Sequence, residues 1–327
     1  MDKVLVIQTA FIGDAILGTA LLERLHQDYP NAKIDYLVRN GNQSLFTDHP
    51  YINEVLVWNK QDAKYAELWQ MLREVRNRKY DAVFNIQRYT ASGFLTAFSG
   101  AKKTIGYKNN PLSFLFSKAV AHRFGKGFEQ VHEVDRVIDL VAEDSARTNP
   151  KLYPSVKDAE AVSEYKIKPY VTIAPASVWF TKQFPVEKWI ELINQIPNKI
   201  TVYLIGAKGD SAIADQIIAH SKREVISLTG KLKLLQTAAL MKDAKMNYAN
   251  DSAPVHLASA VNAPITEVFC STVPEFGFTP LSENSTIVQT KDNLDCRPCG
   301  MHGKSVCPKG HFKCVHGINV KEMGSLV

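Results

Sequence analysis

Three short clusters carry residue types able to do group-transfer chemistry, and each follows an apolar run. The first is Gly13-Asp14, behind the apolar residues 4–7 and ahead of Ile16, Leu17, Ala20, Leu21 and Leu25, which recur at helical steps. A carboxylate at a strand-to-helix junction lies where open α/β sheets place their ligands, and the helix field favours its ionised form. Asp14 is therefore a candidate general base. Its alternative is a plain helix N-cap, although Leu17 stands where a reciprocal capping box would want Glu or Gln. The second cluster is Ser177 with Lys182, in the loop ASVWFTKQFP that follows the strand-like YVTIAP (170–175). Lys182 can neutralise a diphosphate as a mobile point charge, or be a solvated loop lysine. The third is Asn250-Asp251-Ser252 followed by His256. Ser252 and the amides of Ala253 and Val255 would open a helix and hold a phosphate oxygen, with Pro254 costing one donor. Taken singly, Asp251-Ser252 reads as a helix cap and His256 as a packed helix residue.

A fourth group lies in the tail, where Cys296, Cys299, Cys307 and Cys314 are interspersed with His302, His311 and His316. The C-x2-C start has the look of a tetrahedral zinc site, whereas the later spacings, C-x7-C-x6-C, lie outside the pattern of standard zinc modules. A structural zinc held by these four thiols is one expectation, and a metal-free Cys-rich tail is the other. Reduced thiols are expected in a cytoplasmic protein, so disulfides are not. Cys270, just after a strand-like run, reads as a small buried hydrophobe.

The elements that must position these clusters alternate along the chain. Residues 32–38, 54–58 and 81–86 read as strands, with 21–29 and 66–78 as helices between them. The order strand, loop, helix returns at 170–175, at 200–207 and at 244–251, and 265–269 reads as the last strand. Such alternation means parallel sheets with helices on both faces. The 327 residues suffice for about two domains. An amphipathic helix over 132–146 is followed by a polar, Pro-bearing connection, which puts the boundary near residue 160: one domain over 1–160 and another over 161–327. Two successive α/β domains of similar size suggest a ligand held in a cleft between them. No internal repeat is visible, and neither G-x-G-x-x-G nor G-x-x-x-x-G-K-[ST] occurs after any strand.

Composition bounds the partners. An apolar fraction of 45% with 22% charged residues is that of an ordinary globular protein. The chain has no apolar run of about eighteen residues, the length a transmembrane helix needs. Its N-terminus enters a strand without the layout of a signal peptide, so the expected location is the cytoplasm. A net charge of +6 suits anionic ligands without demanding nucleic acid. Between residues 101 and 128 the chain carries Lys102, Lys103, Lys108, Lys118, Arg123 and Lys126 with no acid, interleaved with aromatics. This stretch reads either as a solvated basic face or as an anion-binding lip at a membrane surface. No nucleic-acid recognition module supports a third reading.

Together, F-I-G-D-A-I-L-G-T-A-L near the start, T-K-Q-F-P-x-E-K-W in the middle and N-D-S-A-P-V-H-L-A-S-A later resemble the lipopolysaccharide heptosyltransferase family, in the right order over most of the chain. The resemblance implies a GT-B fold of two Rossmann-like doubly wound domains facing a central cleft. It implies transfer of a heptose, with inversion and without a catalytic metal, from ADP-heptose to the phosphorylated inner core on lipid A. By the same resemblance Asp14 is the general base, and Lys182, Asp251, Ser252 and His256 line the donor site; Gly13 and Ser177, from the same strand-end clusters, are expected donor contacts beside them. Lys102, Lys103 and Lys108 are the expected acceptor contacts, with a peripheral contact to the inner face of the inner membrane. The sequence departs from the family's usual N-D-[ST]-G at Ala253-Pro254, and from its K-R-W-P at Gln183-Phe184. Two other classes stay open at this point: a nucleotide-sugar epimerase of similar architecture, and a non-catalytic module binding lipid A or nucleic acid.

Overall fold

The computed structural model describes residues 1–59, 64–142 and 146–324. It divides into two units, Met1–Tyr153 and Pro154–Val327. The division falls ahead of the expected boundary because the helix Val156–Glu160 packs on Leu234–Lys242 of the second unit.

In the first unit the apolar residues 4–7 form β1 (Lys3–Gln8), with Val4, Leu5, Val6 and Ile7 fully enclosed. Five further strands follow: β2 (Lys33–Arg39), β3 (Ile52–Trp58), β4 (Ala82–Asn85), β5 (Lys103–Tyr107) and β6 (Lys118–Val120). Their order across the sheet is β3-β2-β1-β4-β5-β6, and every pairing is parallel. Parallel neighbours need crossover connections, and the helices that supply them cover the faces, which is why β1 reads as a continuous apolar run.

The second unit repeats the plan with β7 (Tyr170–Ala174), β8 (Thr201–Leu204), β9 (Ile226–Ser227), β10 (Met246–Asn250), β11 (Ile265–Phe269) and β12 (Ser285–Gln289). The order is β12-β11-β10-β7-β8-β9, again all parallel. Read from β9, it is the first unit's order. Its core gathers Trp189, Ile193, Val202, Leu204, Ile217 and Val268 from both strands and helices.

Several elements differ from the sequence expectation. The basic stretch contains two strands, β5 and β6, which their lysines and shortness conceal. The last strand is β12 rather than β11. The helix expected over 132–146 spans Glu133–Asp139, and residues 143–145 lie outside the described residues. The helix expected from Ala15 begins earlier and in two pieces, Ile12–Leu17 and Thr19–Asp28, that meet at Gly18. Glycine is required there by close approach: a Cβ would collide with the Tyr36 hydroxyl, which donates to the Ala15 carbonyl at 2.8 Å.

Candidate functional site

Each sheet reverses direction of growth once, between β1 and β4 in the first unit and between β7 and β10 in the second. Ligands of open α/β sheets bind beyond the carboxyl ends of the strands at such a point. Gly13-Asp14 follows β1, Ser177 and Lys182 follow β7, and Asp251 and Ser252 follow β10.

In the first unit Phe11 is the N-cap of Ile12–Leu17, so Asp14 stands inside the first helical turn and is not the cap. The capping alternative therefore fails, while the favourable helix field at a first-turn carboxylate remains. Burial pushes the Tyr36 hydroxyl well above its ordinary pKa, and the charge of Asp14 pushes it further. Glu133 is raised in the same way, by burial first, with Asp14 adding to the effect and Arg136 and Arg88 opposing it. Asp14 thus shares its surroundings with a second carboxyl, Glu133, and a cation, Arg88, that sequence reasoning missed because they come from the start of the helix Glu133–Asp139 and from the loop after β4. The carboxyl edge around it is set by amides. Gln87 bonds Gln8, Asn42 Nδ2 donates to the Ala10 carbonyl at 3.1 Å, and Asn110 Nδ2 donates to the Gln87 and Tyr89 carbonyls at 3.3 and 3.1 Å. Phe11 is exposed with the Arg39 guanidinium 5.1 Å from its ring centre.

The expected acceptor lysines do not share one edge. Lys102 and Lys103 precede or open β5, at the amino end of the sheet, where Lys102 Nζ pairs with Asp81 at 2.7 Å. Lys108 follows β5 and lies on the Asp14 edge. Because all six strands are parallel, the length of a strand separates Lys102 and Lys103 from Lys108, which alone of the three lies on the Asp14 edge.

In the second unit Lys182 Nζ sits 2.7 Å from Asp251 Oδ2, with both side chains mostly buried. Thr272 Oγ1 donates to the same oxygen at 2.6 Å. Asn250 holds the two strand ends together, its Nδ2 donating to the Pro175 carbonyl and its Oδ1 accepting from Phe184 N, both at 2.9 Å. Gln183 Nε2 donates to the Ser177 carbonyl at 2.6 Å, closing the loop that carries Lys182. Ser252 is the N-cap of Ala253–Ala260, but its hydroxyl donates back to the Asn250 carbonyl at 3.1 Å rather than capping. The Val255 amide donates to the Ser252 carbonyl at 3.0 Å, so it is not the phosphate donor that the sequence suggested. His256 is buried on this helix, 6.4 Å between ring centres from Phe278.

Behind this site Glu267 on β11 is fully buried, and neither carboxyl oxygen has a hydrogen-bond partner among the described residues. Burial raises its pKa well above the ordinary value, the Asp251 charge adds to this, and Lys182 opposes it. A folded state that keeps a proton which the unfolded chain releases loses stability as pH rises past the unfolded value of 4.5. Glu267→Met should therefore stabilise the protein at neutral pH, by about 1–3 kcal/mol, the scale of an unsatisfied buried polar group. Thermal melts of both proteins from pH 5 to 8 check this: wild type should lose stability across the range relative to the variant, and parallel curves would refute it.

The four tail thiols line one cavity of about 290 Å³ with Arg297, Lys304 and His311. Among the described residues, however, no group of three or more His, Cys, Asp or Glu side chains is placed to hold a metal ion. Cys296 Sγ lies 3.9 Å from His311 Nε2, and Cys314 is packed in the same apolar core as Cys270. The tail also binds the strand ends. Arg297 donates to the Cys270 and Thr272 carbonyls at 2.9 and 2.7 Å and to Gln289 Oε1 at 2.8 Å, while Cys299 N donates to the Ser271 carbonyl at 2.8 Å.

Comparison with known proteins agrees with this arrangement. The sequence profile of glycosyltransferase family 9 (heptosyltransferase) matches residues 68–308. The lipooligosaccharide heptosyltransferase 2 of Haemophilus ducreyi is 24% identical over 316 residues, 89% of either chain. The E. coli ADP-heptose LPS heptosyltransferase II superposes with a TM-score of 0.76 at 20% identity, over 96% of this chain and 97% of its own. The E. coli heptosyltransferase WaaC with ADP does so with a TM-score of 0.71 at 20% identity, over 87% and 92%. With the profile spanning most of both units, the chain belongs to glycosyltransferase family 9, the heptosyltransferases.

Proposed function

We propose that this glycosyltransferase moves a heptose from ADP-heptose to the inner core of lipopolysaccharide, with inversion. The observation that carries the reading is the Lys182–Asp251 pair at the switch point of the second unit, a cation held ready where a nucleoside diphosphate would lie. The WaaC complex with ADP supports the choice of nucleotide. In this reading Lys182 and the helix opening at Ser252 take the diphosphate, with Gly13, Ser177 and His256 as neighbouring contacts. Asp14 accepts the proton of the acceptor hydroxyl as that oxygen attacks the anomeric carbon. The bond from that carbon to the diphosphate breaks, ADP leaves with the electron pair, and a single displacement inverts the centre. Positive groups aimed at the departing diphosphate contribute several kcal/mol in such reactions, roughly the 3–4 kcal/mol of one well-placed donor. No step is given to a metal.

Lys108, on the Asp14 edge, is assigned to the phosphorylated core of the acceptor. Lys102 and Lys103, on the opposite edge, suit the anionic surface of the inner membrane, where each basic residue contributes about 1 kcal/mol. Among the described residues no helix is long and apolar enough to cross a membrane, so the contact proposed is peripheral.

The test is a donor screen against defined lipid A core acceptors, read by product mass. A product heavier by one heptose, formed with ADP-heptose and acceptor together, is expected. Turnover of the donor alone would replace this reading with an epimerase. Salt-sensitive binding of the acceptor without any product would leave only a binding module.

A further inference from the structure

We propose that the Cys-rich tail completes the donor subsite: its Gly303-Lys304 step fixes Lys182 and brings a second lysine to the same nucleoside diphosphate. The inference rests on the donor reading given above. Its basis is a two-way bridge between the tail and the loop after β7. Thr181 N donates to the Lys304 carbonyl at 3.0 Å, and Lys304 N donates to Thr181 Oγ1 at 2.8 Å. Ser271 Oγ, from the end of β11, donates to the same Thr181 hydroxyl at 3.0 Å. The backbone of Lys304 is thereby tied to the residue immediately before Lys182.

Gly303 shows how closely the two segments meet. It has φ +79, and a Cβ there would lie 2.9 Å from Lys182 Cγ and 3.0 Å from Thr181 Oγ1. Only glycine lets the tail lie against the stem of the lysine in this conformation. The rest of the tail is anchored as firmly, with Phe312 stacked on Phe180 at 5.3 Å between ring centres. The tail is thus a wall of the Lys182 loop rather than an appendage.

Charge supplies the second half of the argument. A nucleoside diphosphate brings several negative oxygens, whereas Gln183 beside Lys182 is neutral and its amide is engaged with the Ser177 carbonyl. Lys304 is exposed, and its backbone is fixed one residue from Lys182 across the bridge. A flexible, solvated ammonium in that place is suited to a phosphate that arrives from solution.

Calorimetric titration of the full chain with ADP and with adenosine tests this. Lys304→Ala should weaken ADP about 3- to 10-fold, the range of an exposed charge-assisted contact, and leave adenosine affinity unchanged. Lys304→Arg should restore most of the loss. Gly303→Ala should weaken ADP at least as much, because the added methyl displaces Lys182. Unchanged ADP affinity in Lys304→Ala, or an equal loss for adenosine, overturns the inference while wild-type ADP binding upholds the donor reading. Absence of ADP binding in the wild type overturns both.

Discussion

Asp14→Asn should lower turnover by at least about 10²-fold while leaving folding and ADP affinity near wild type, the signature of a lost general base. The substitution keeps the shape of the side chain and removes its capacity to accept a proton. Asp14 belongs to the first turn of Ile12–Leu17, in the first unit, whereas the residues assigned to the diphosphate are all in the second, apart from Gly13 beside it. A change confined to the proton acceptor therefore should not alter ADP binding. Steady-state rates with saturating donor and acceptor, together with calorimetry for ADP, check both halves. Near wild-type turnover would remove Asp14 from the mechanism. A matching drop in ADP affinity would move it to the donor site. Glu133 is the natural comparison, because its carboxyl feels the charge of Asp14 while pairing with Arg136 at 2.9 Å.

The second large effect is expected at Lys182. Lys182→Ala removes the cation opposite Asp251 and should reduce kcat/KM by about 10²- to 10³-fold, the scale of one lost electrostatic contact to a developing charge. ADP binding should weaken with it. Loss of the ammonium also leaves the Asp251 carboxylate with Thr272 but without its ion-pair partner, and its side chain is only 10% exposed. A fold defect from that unpaired charge is separable from a ligand effect. Adenosine affinity and the melting temperature should stay near wild type in Lys182→Ala/Asp251→Asn, whereas ADP affinity should remain low. If the double variant recovers ADP binding, Lys182 serves the fold rather than the diphosphate.

How much of this was legible beforehand depended on locality. The motifs that announce the site each lie within a dozen residues, and the signals that place them are local too: an apolar run, a loop with a polar cluster, then a helical period. These sufficed to put Asp14, Lys182 and Asp251 at carboxyl ends of strands. The elements that escaped notice were short, charged or late. β5 and β6 hide in a basic stretch, and β9 has only two residues, Ile226–Ser227. The two lysines at the start of β5 were grouped with Lys108 because they are neighbours in sequence, yet a parallel strand carries its two ends to opposite edges of the sheet.

The sequence by itself determined the class of the protein, its alternating strands and helices, and the residue types at the ends of β1, β7 and β10, because backbone periodicity and side-chain chemistry are local properties. Only the tertiary structure decided which of those ends adjoin. Two halves without visible sequence repetition adopt the same strand order, since a parallel sheet with right-handed crossovers offers few arrangements and many sequences can fill its core. The tertiary structure likewise decided that Lys182 meets Asp251, residues far apart in the chain, and that the cysteine tail returns to Thr181. Contacts of that kind depend on the path of the whole chain, which no spacing within a motif encodes.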